Sequence, residues 1–211
     1  MILETLIVGP LETNCYILGA EDTGEAVVID PGAGVPAIMG ALEEKDLGVR
    51  YIFNTHGHFD HVAGDGRLKD ATGAEIMLHP ADAFLLEALE DQASVFGIAV
   101  HGTPKVDIPL MDGFQLALGE VRGTVLHTPG HTPGSVCLLV GGKAFVGDTI
   151  FAGSVGRTDL PGGSYEEIAQ SVRRLLALGD GVELYPGHGP KTTVGRERAH
   201  NPLVMEFLKE A

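Results

Sequence analysis

From its first residues the chain alternates short apolar runs with turn-forming positions. Residues 2–8, 14–18 and 26–30 are apolar stretches bounded by Gly, Pro, Asn and Asp, the pattern of strands separated by turns. NCYIL and AVVID are rich in β-favouring side chains, and Pro31-Gly32 stops the second of them. The period then changes: Val35, Ile38, Met39 and Leu42 recur at helical spacing and predict a helix over 35–46. RYIFN at 50–54 predicts a further strand, followed by a helix at 62–71, a strand at 75–79 and a helix over 80–90 opened by Pro80. Residues 91–112, with the two prolines of GTPKVDIPL, predict an irregular loop able to cover a site. Strands are expected at 114–118, 121–127, 135–140, 143–147 and 182–185. A helix over 164–177 carries a capping-box signature, Ser164 with Glu167 three positions on. A last helical stretch, 192–210, is interrupted by Pro202.

Each half runs through several strands and then a helix, twice over. This predicts an α/β fold of two halves sharing one core, a four-layer α/β/β/α sandwich. One domain is expected over 1–211, with a short helical extension from about 192 to 211. At 211 residues and 44% hydrophobic, the chain can bury a core without disulfides or metal staples. Its 30 glycines are scattered, which predicts many tight turns and no disordered tract.

A formal net charge of -15 would repel a phosphate backbone, so nucleic acid is not an expected partner. No apolar run approaches the length of a membrane span. MILETLIVGP lacks the positive start and long apolar stretch of a signal peptide, so the expected location is the cytoplasm, as a monomer or homodimer. Cys15 and Cys137 have no CxxC spacing and sit in apolar, strand-like segments, which predicts buried thiols with no redox or ligand role.

Four segments share one design: RYIFNTHGHFDH, TVLHTPGHTPG, KAFVGD and VELYPGHG. Each is an apolar strand running into a glycine-containing turn that presents His or Asp. Side by side, their ends would form a common rim. His56 and His58, two apart, point to one side of an extended segment. Asp60 and His61 fall where a helix is expected to begin, which aims them at a second, nearby point. His131 sits between two Pro-Gly turns, a loop suited to fixing an imidazole. Asp148 and His188 end two further strands. Of the other histidines, His79 reads as structural, His127 as structural or as a support behind the site, and His101 and His200 as exposed.

Nitrogen and carboxylate donors without thiolate suit zinc first, with iron or manganese also possible. Seven ligands exceed one tetrahedral site and predict two divalent metal ions. His56, His58 and His131 would hold one ion and Asp60, His61 and His188 the other, with Asp148 bridging. Two ions about 3.5–4 Å apart share a water and lower its pKa. The expected chemistry is attack of the metal-bound hydroxide on a carbonyl of a small-molecule substrate, with Asp60 orienting the nucleophile or accepting its proton. No GxSxG motif supports a covalent serine route.

At these residues, His56-x-His58-x-Asp60-His61, then His131, Asp148 and His188, the chain resembles the metallo-β-lactamase superfamily along nearly its whole length. That resemblance implies the α/β/β/α sandwich. Within the superfamily, TPGHTPGSV, GDTIFAGSVGRTDLPGGS and Asn201-Pro202-Leu203 are similar to small bacterial members of the glyoxalase II (hydroxyacylglutathione hydrolase) branch. The branch implies hydrolysis of an acyl thioester such as S-lactoylglutathione. Two departures stand out. About twenty residues follow YPGHGP, where a full glyoxalase II carries a helical C-terminal domain. The branch's Lys-x-Tyr glutathione contact is here Arg157-Thr158-Asp159. Arg157 can meet a substrate carboxylate or pair with Asp159. GRTD is also similar to a related branch, the mononuclear iron persulfide dioxygenases, which implies an alternative using His56, His131 and Asp148. A non-catalytic metal-binding module and a β-lactam hydrolase are further alternatives.

Overall fold

The computed structural model describes residues 1–98 and 100–209. Strands β1 (Ile2–Val8), β2 (Thr13–Gly19), β3 (Glu25–Ile29), β4 (Gly48–Phe53), β5 (Glu75–Leu78) and β6 (Ile108–Pro109) form a sheet in that order. The first two pairings are antiparallel and the rest parallel. Side chains alternate across this sheet. Tyr16, Leu18, Val27, Ile29, Phe53 and Met77 enter the central core. Cys15, Ile17, Val28, Ile52 and Ile76 pack outward against helices α1 (Val35–Glu44) and, beyond the short α2 (Phe59–Val62), α3 (Asp65–Thr72). Burial on both faces is why these strands read as continuous apolar runs.

Helices α4 (Ala83–Glu87) and α5 (Leu89–Ser94) lead toward the second sheet. It comprises β7 (Gln115–Leu118), β8 (Val121–His127), β9 (Val136–Val140), β10 (Lys143–Gly147), β13 (Glu183–Pro186) and β14 (Thr192–Thr193), in the order β14-β13-β10-β9-β8-β7. Between β10 and β13 the chain makes a small hairpin, β11 (Ile150–Phe151) and β12 (Ser154–Val155), and then helix α6 (Tyr165–Leu176). Leu116, Val125, Leu138 and Phe145 meet the first sheet across the central core. Cys137, Ala144, Val146 and Leu184 face α6, α7 (Val194–His200) and α8 (Pro202–Lys209). The layers are therefore α/β/β/α, as expected. Both cysteines are buried and unbridged.

Several local differences have physical causes. The helix expected over 35–46 stops at Glu44 because Asp46 adopts φ 52 and the Asp46 and Leu47 amides turn back to Glu43 and Leu42, a Schellman closure. The segment predicted as one helix over 62–71 is two, α2 and α3. The 80–90 segment begins as a 3-10 turn, with the His79 ring accepting from Ala81 N–H, before α4 and α5. Residues 91–112 hold the end of α5 and strand β6; Pro109, tolerable only at a sheet edge, masked that strand. Ala99 of this segment lies outside the described residues. In α6, Ser164 Oγ accepts from Glu167 N–H, but Ser164 N–H donates to the Gly130 carbonyl, so half of the capping box is replaced by a tie to the His131 loop. Residues 192–193 are strand, not helix, and α8 starts at Pro202; Glu210 and Ala211 of the expected helix lie outside the described residues. The 192–209 segment is packed into the α-layer through Val194, Val204 and Phe207.

Candidate metal centre

The ends of β4, β8, β10 and β13 open onto one rim, and all seven expected ligands meet there. Their ligand atoms form three overlapping groups, His56/His58/His131, His56/His61/Asp148 and Asp60/His61/His188, each within 4.8 Å. Asp148 lies between the two halves. One of its oxygens is 3.6 Å from His61 Nε2, and the other is 3.6 Å from His131 Nε2 and 3.7 Å from His188 Nε2. Asp60 Oδ2 stands 3.2 Å from His188 Nε2 and 3.4 Å from His61 Nε2.

Four of the five imidazoles are held by the nitrogen that faces away. His61 Nδ1–H donates to Asp30 at 3.0 Å, His131 Nδ1–H to the Arg157 carbonyl at 2.8 Å, and His188 Nδ1–H to the Leu11 carbonyl at 3.0 Å. His56 Nδ1 contacts Thr55 Oγ1 at 3.1 Å, and that hydroxyl donates to Asp30 at 2.7 Å. Such partners fix ring orientation and tautomer and leave a lone pair on the inward nitrogen. Asp30 thus supports one ligand directly and another through Thr55.

The residues fit metal ions on three observations. His56 Nε2, His61 Nε2 and Asp148 Oδ1 are buried with no hydrogen-bond partner within the protein, a costly state for polar atoms. His58 Nδ1 and His131 Nε2 face each other at 2.9 Å; the hydrogen on His131 Nδ1 makes its Nε2 a lone pair, so this contact calls for a cation or proton. Finally, a Cβ on Gly187 would stand 2.2 Å from Asp148 Oδ1, so the cradle beside the bridge tolerates only glycine.

The electrostatics of the halves diverge. Burial, then the surrounding imidazoles, pushes His56 well below the usual histidine range and His58 down to about 3. Burial acts the same way on His61, but Asp60, Asp148 and Asp30 outweigh it and raise His61 to about 10. His188 also moves up, against its burial, through Asp60 and Asp148. Burial would raise Asp60, but His61 and the His188 hydrogen bond hold it below the usual carboxylate range.

A model of the metallo-β-lactamase superfamily matches residues 8–188. The chain belongs to this superfamily. It is 37% identical over 214 residues to hydroxyacylglutathione hydrolase GloC of Haemophilus influenzae, covering 97% of this chain and 98% of that protein. Among solved structures, BLEG-1 B3 metallo-β-lactamase superposes with a TM-score of 0.89 at 34% identity, covering 96% of this chain and 99% of that one. TTHA1623 in a di-iron-bound form superposes with a TM-score of 0.87 at 37% identity, covering 95% and 99%. No helix among the described residues is long and apolar enough to cross a membrane.

Two supporting residues of this superfamily member escaped the sequence reading. Asp30 ends an apolar strand before Pro31-Gly32, the same design as the ligand segments, and that signal could have found it. Asp82 is fully buried and accepts from Gly57 N–H at 2.9 Å, Thr132 Oγ1–H at 2.8 Å and Gly134 N–H at 2.6 Å. It clamps the His56/His58 loop to the His131 loop, and an Asp within an expected helix carries no such signal. His127 stacks on His79 at 4.3 Å and its Nε2–H donates to the Pro133 carbonyl of the His131 loop at 2.8 Å; His101 and His200 are exposed, as expected.

Above the ligands lies a cleft of about 360 Å³ lined by Leu11, Phe59, Gln92, Val95, Phe96 and Leu160 together with ligand side chains and Arg157. A larger hollow of about 550 Å³, near Met1 and Arg122, contains none of the seven ligands. The 91–112 segment does contribute Gln92, Val95 and Phe96 to the cleft. The Arg157 side chain is at the lip, with Nε and Nη2 each donating to Asp159 at 2.7 Å.

Proposed function

We propose that this chain is a metal-dependent thioester hydrolase of the glyoxalase II type, using two divalent ions, zinc first among them. The observation that carries this reading is the double ligand set: two three-residue groups joined by Asp148 beneath an open cleft. His56, His58 and His131 would hold one ion, Asp60, His61 and His188 the other, with Asp148 shared. When bound, two such ions supply Lewis acidity and bring a shared water within reach of ionisation at neutral pH.

The protein groups supply the rest. Asp60 also accepts from Thr13 Oγ1 at 3.2 Å and stays ionised, so it can orient the attacking water and accept its hydrogen bond. The cleft walls hold a small acyl group against the ligands. A thiolate, with a parent pKa of about 8.5, leaves without being protonated, and a thioester substrate agrees with the similarity to GloC.

The test is turnover by metal-loaded protein of a panel of acyl thioesters beside a β-lactam. Release of thiol and carboxylate from a thioester, with the β-lactam slower by orders of magnitude, is expected; no thioester cleavage sinks the reading. The persulfide dioxygenase alternative rests on the GRTD segment, and the di-iron-bound form of TTHA1623 keeps iron beside zinc as a metal for this site. One iron per chain with oxygen uptake on a persulfide would replace the hydrolase reading.

A further inference from the structure

Phe96 and Val95 are 50% and 80% exposed, and Leu11 is 37% exposed, all three lining the cleft above the ligands. Large apolar side chains gathered at a concave site mark a surface that a ligand covers. Phe96 stacks on Phe59, centroids 4.8 Å apart and planes at 22°. Phe59 immediately precedes Asp60 and is buried in the cluster under α5. The apolar platform is therefore tied to the metal ligands through one turn of α2, and Leu160 lines the same cleft.

The polar side of this cleft is as informative. Arg157 is the one Lys or Arg among the described lining residues. Its Nε–H and an Nη2–H engage Asp159 in a two-bond fork, so its charge is offset locally. An anionic carrier would meet a guanidinium already shared with Asp159, two residues away on the same turn, and would approach a protein of formal net charge -15. An apolar acyl chain meets no such opposition.

From these observations we infer that the cleft selects thioesters with an apolar acyl chain on an uncharged thiol carrier, the Arg157–Asp159 pair withholding recognition from anionic carriers. The inference rests on the thioester reading above. The reaction breaks the acyl C–S bond, forms a C–O bond from water and releases a carboxylic acid and a thiol, with no oxidant or reductant consumed.

The experiment compares acetyl, butyryl, hexanoyl and octanoyl esters of N-acetylcysteamine with the same acyl esters of glutathione, using metal-loaded protein. kcat/KM is expected to rise about fourfold per added methylene until the cleft is filled. At equal chain length the glutathione esters are expected to be several-fold poorer. A non-hydrolysable thioether series, followed by calorimetry, should bind more tightly with chain length in parallel. Phe96→Ala should flatten the chain-length slope and lower the octanoyl value about tenfold, with Phe96→Leu restoring most of it. Asp159→Asn, which frees the guanidinium, should raise kcat/KM for the glutathione esters selectively, and the gain should fade with added salt. Turnover with a flat chain-length profile, or wild-type preference for glutathione esters, overturns this inference and leaves the hydrolase reading intact. Absence of turnover with every thioester overturns both.

Discussion

The two halves of the ligand set are built on opposite principles. His56, His58 and His131 are all buried, bring no carboxylate of their own, and include two imidazoles driven toward neutrality by burial and by one another. Asp60, His61 and His188 are a mixed set, partly open at His188, in which carboxylates favour positive charge. One half presents lone pairs and the other a negative field. Both arrangements attract a divalent ion, the first by preformed geometry and the second by charge. The supports differ in the same way. Asp82 clamps the loops of the first half, whereas Asp30 and the Leu11 carbonyl hold rings of the second. Asp148 and the Asp30–Thr55 relay are what the halves share.

Removing the shared bridge should have the largest effect. Asp148→Ala is expected to abolish the second equivalent of metal and lower kcat/KM by about a thousandfold or more, the scale on which loss of a charge-stabilising element acts. Retention of two tightly held ions by this variant would break the account of Asp148. Asp30→Asn comes next. It leaves a single acceptor oxygen where Thr55 N–H, Thr55 Oγ1–H and His61 Nδ1–H now share two, and an amide nitrogen would face one of these donors, so affinity in both halves should drop by about ten- to a hundredfold. Asp82→Asn should be selective: an amide nitrogen would face Gly57 or Gly134 N–H, weakening the His56/His58/His131 half about tenfold while sparing the other. The same change should cost about 1–3 kcal/mol of stability, read by denaturant unfolding.

The smallest effect is a titration that separates the halves in metal-free protein. His61 binds its proton more tightly folded than unfolded, so its contribution is fully present below about pH 6.5 and is lost as pH rises through about 10. His58 does the reverse: its folded value of about 3 makes stability fall as pH drops below about 6.5. The metal-free protein should therefore resist thermal unfolding most near pH 6.5, with its stability falling on both sides. Metal loading near pH 8 should release protons, because His61 must give up its hydrogen to bind. A metal-loaded protein with the same pH profile as the metal-free one would contradict this assignment.

Much of this centre was legible because its ligands follow a repeated local design, an apolar strand, a glycine turn and then His or Asp. His56, His58, His131, Asp148 and His188 stand out on that pattern, and the succession of strands and then a helix, twice over, gives the layers. Asp30 obeys the same pattern in AVVIDPG but is a lone acid, so it resembled a strand end. Asp82 was hidden because its partners, Gly57, Thr132 and Gly134, are distant in sequence. The carbonyls of Leu11 and Arg157 have no residue signature, since every residue carries that group. Arg157 was expected to meet either a substrate carboxylate or Asp159; the structure pairs it with Asp159, while its carbonyl orients His131. The two-residue strands β11 and β12 are too short for a hydrophobic period to register.

The central claim is that Asp148 joins two complete metal-binding halves in one chain. Metal titration of the chelated protein, with stoichiometry read by calorimetry and checked by elemental analysis after gel filtration, tests it most directly. Two equivalents of divalent metal per chain, falling to one in Asp148→Ala, are the expected result. A single equivalent in the wild-type chain, unchanged by that substitution, would contradict the account.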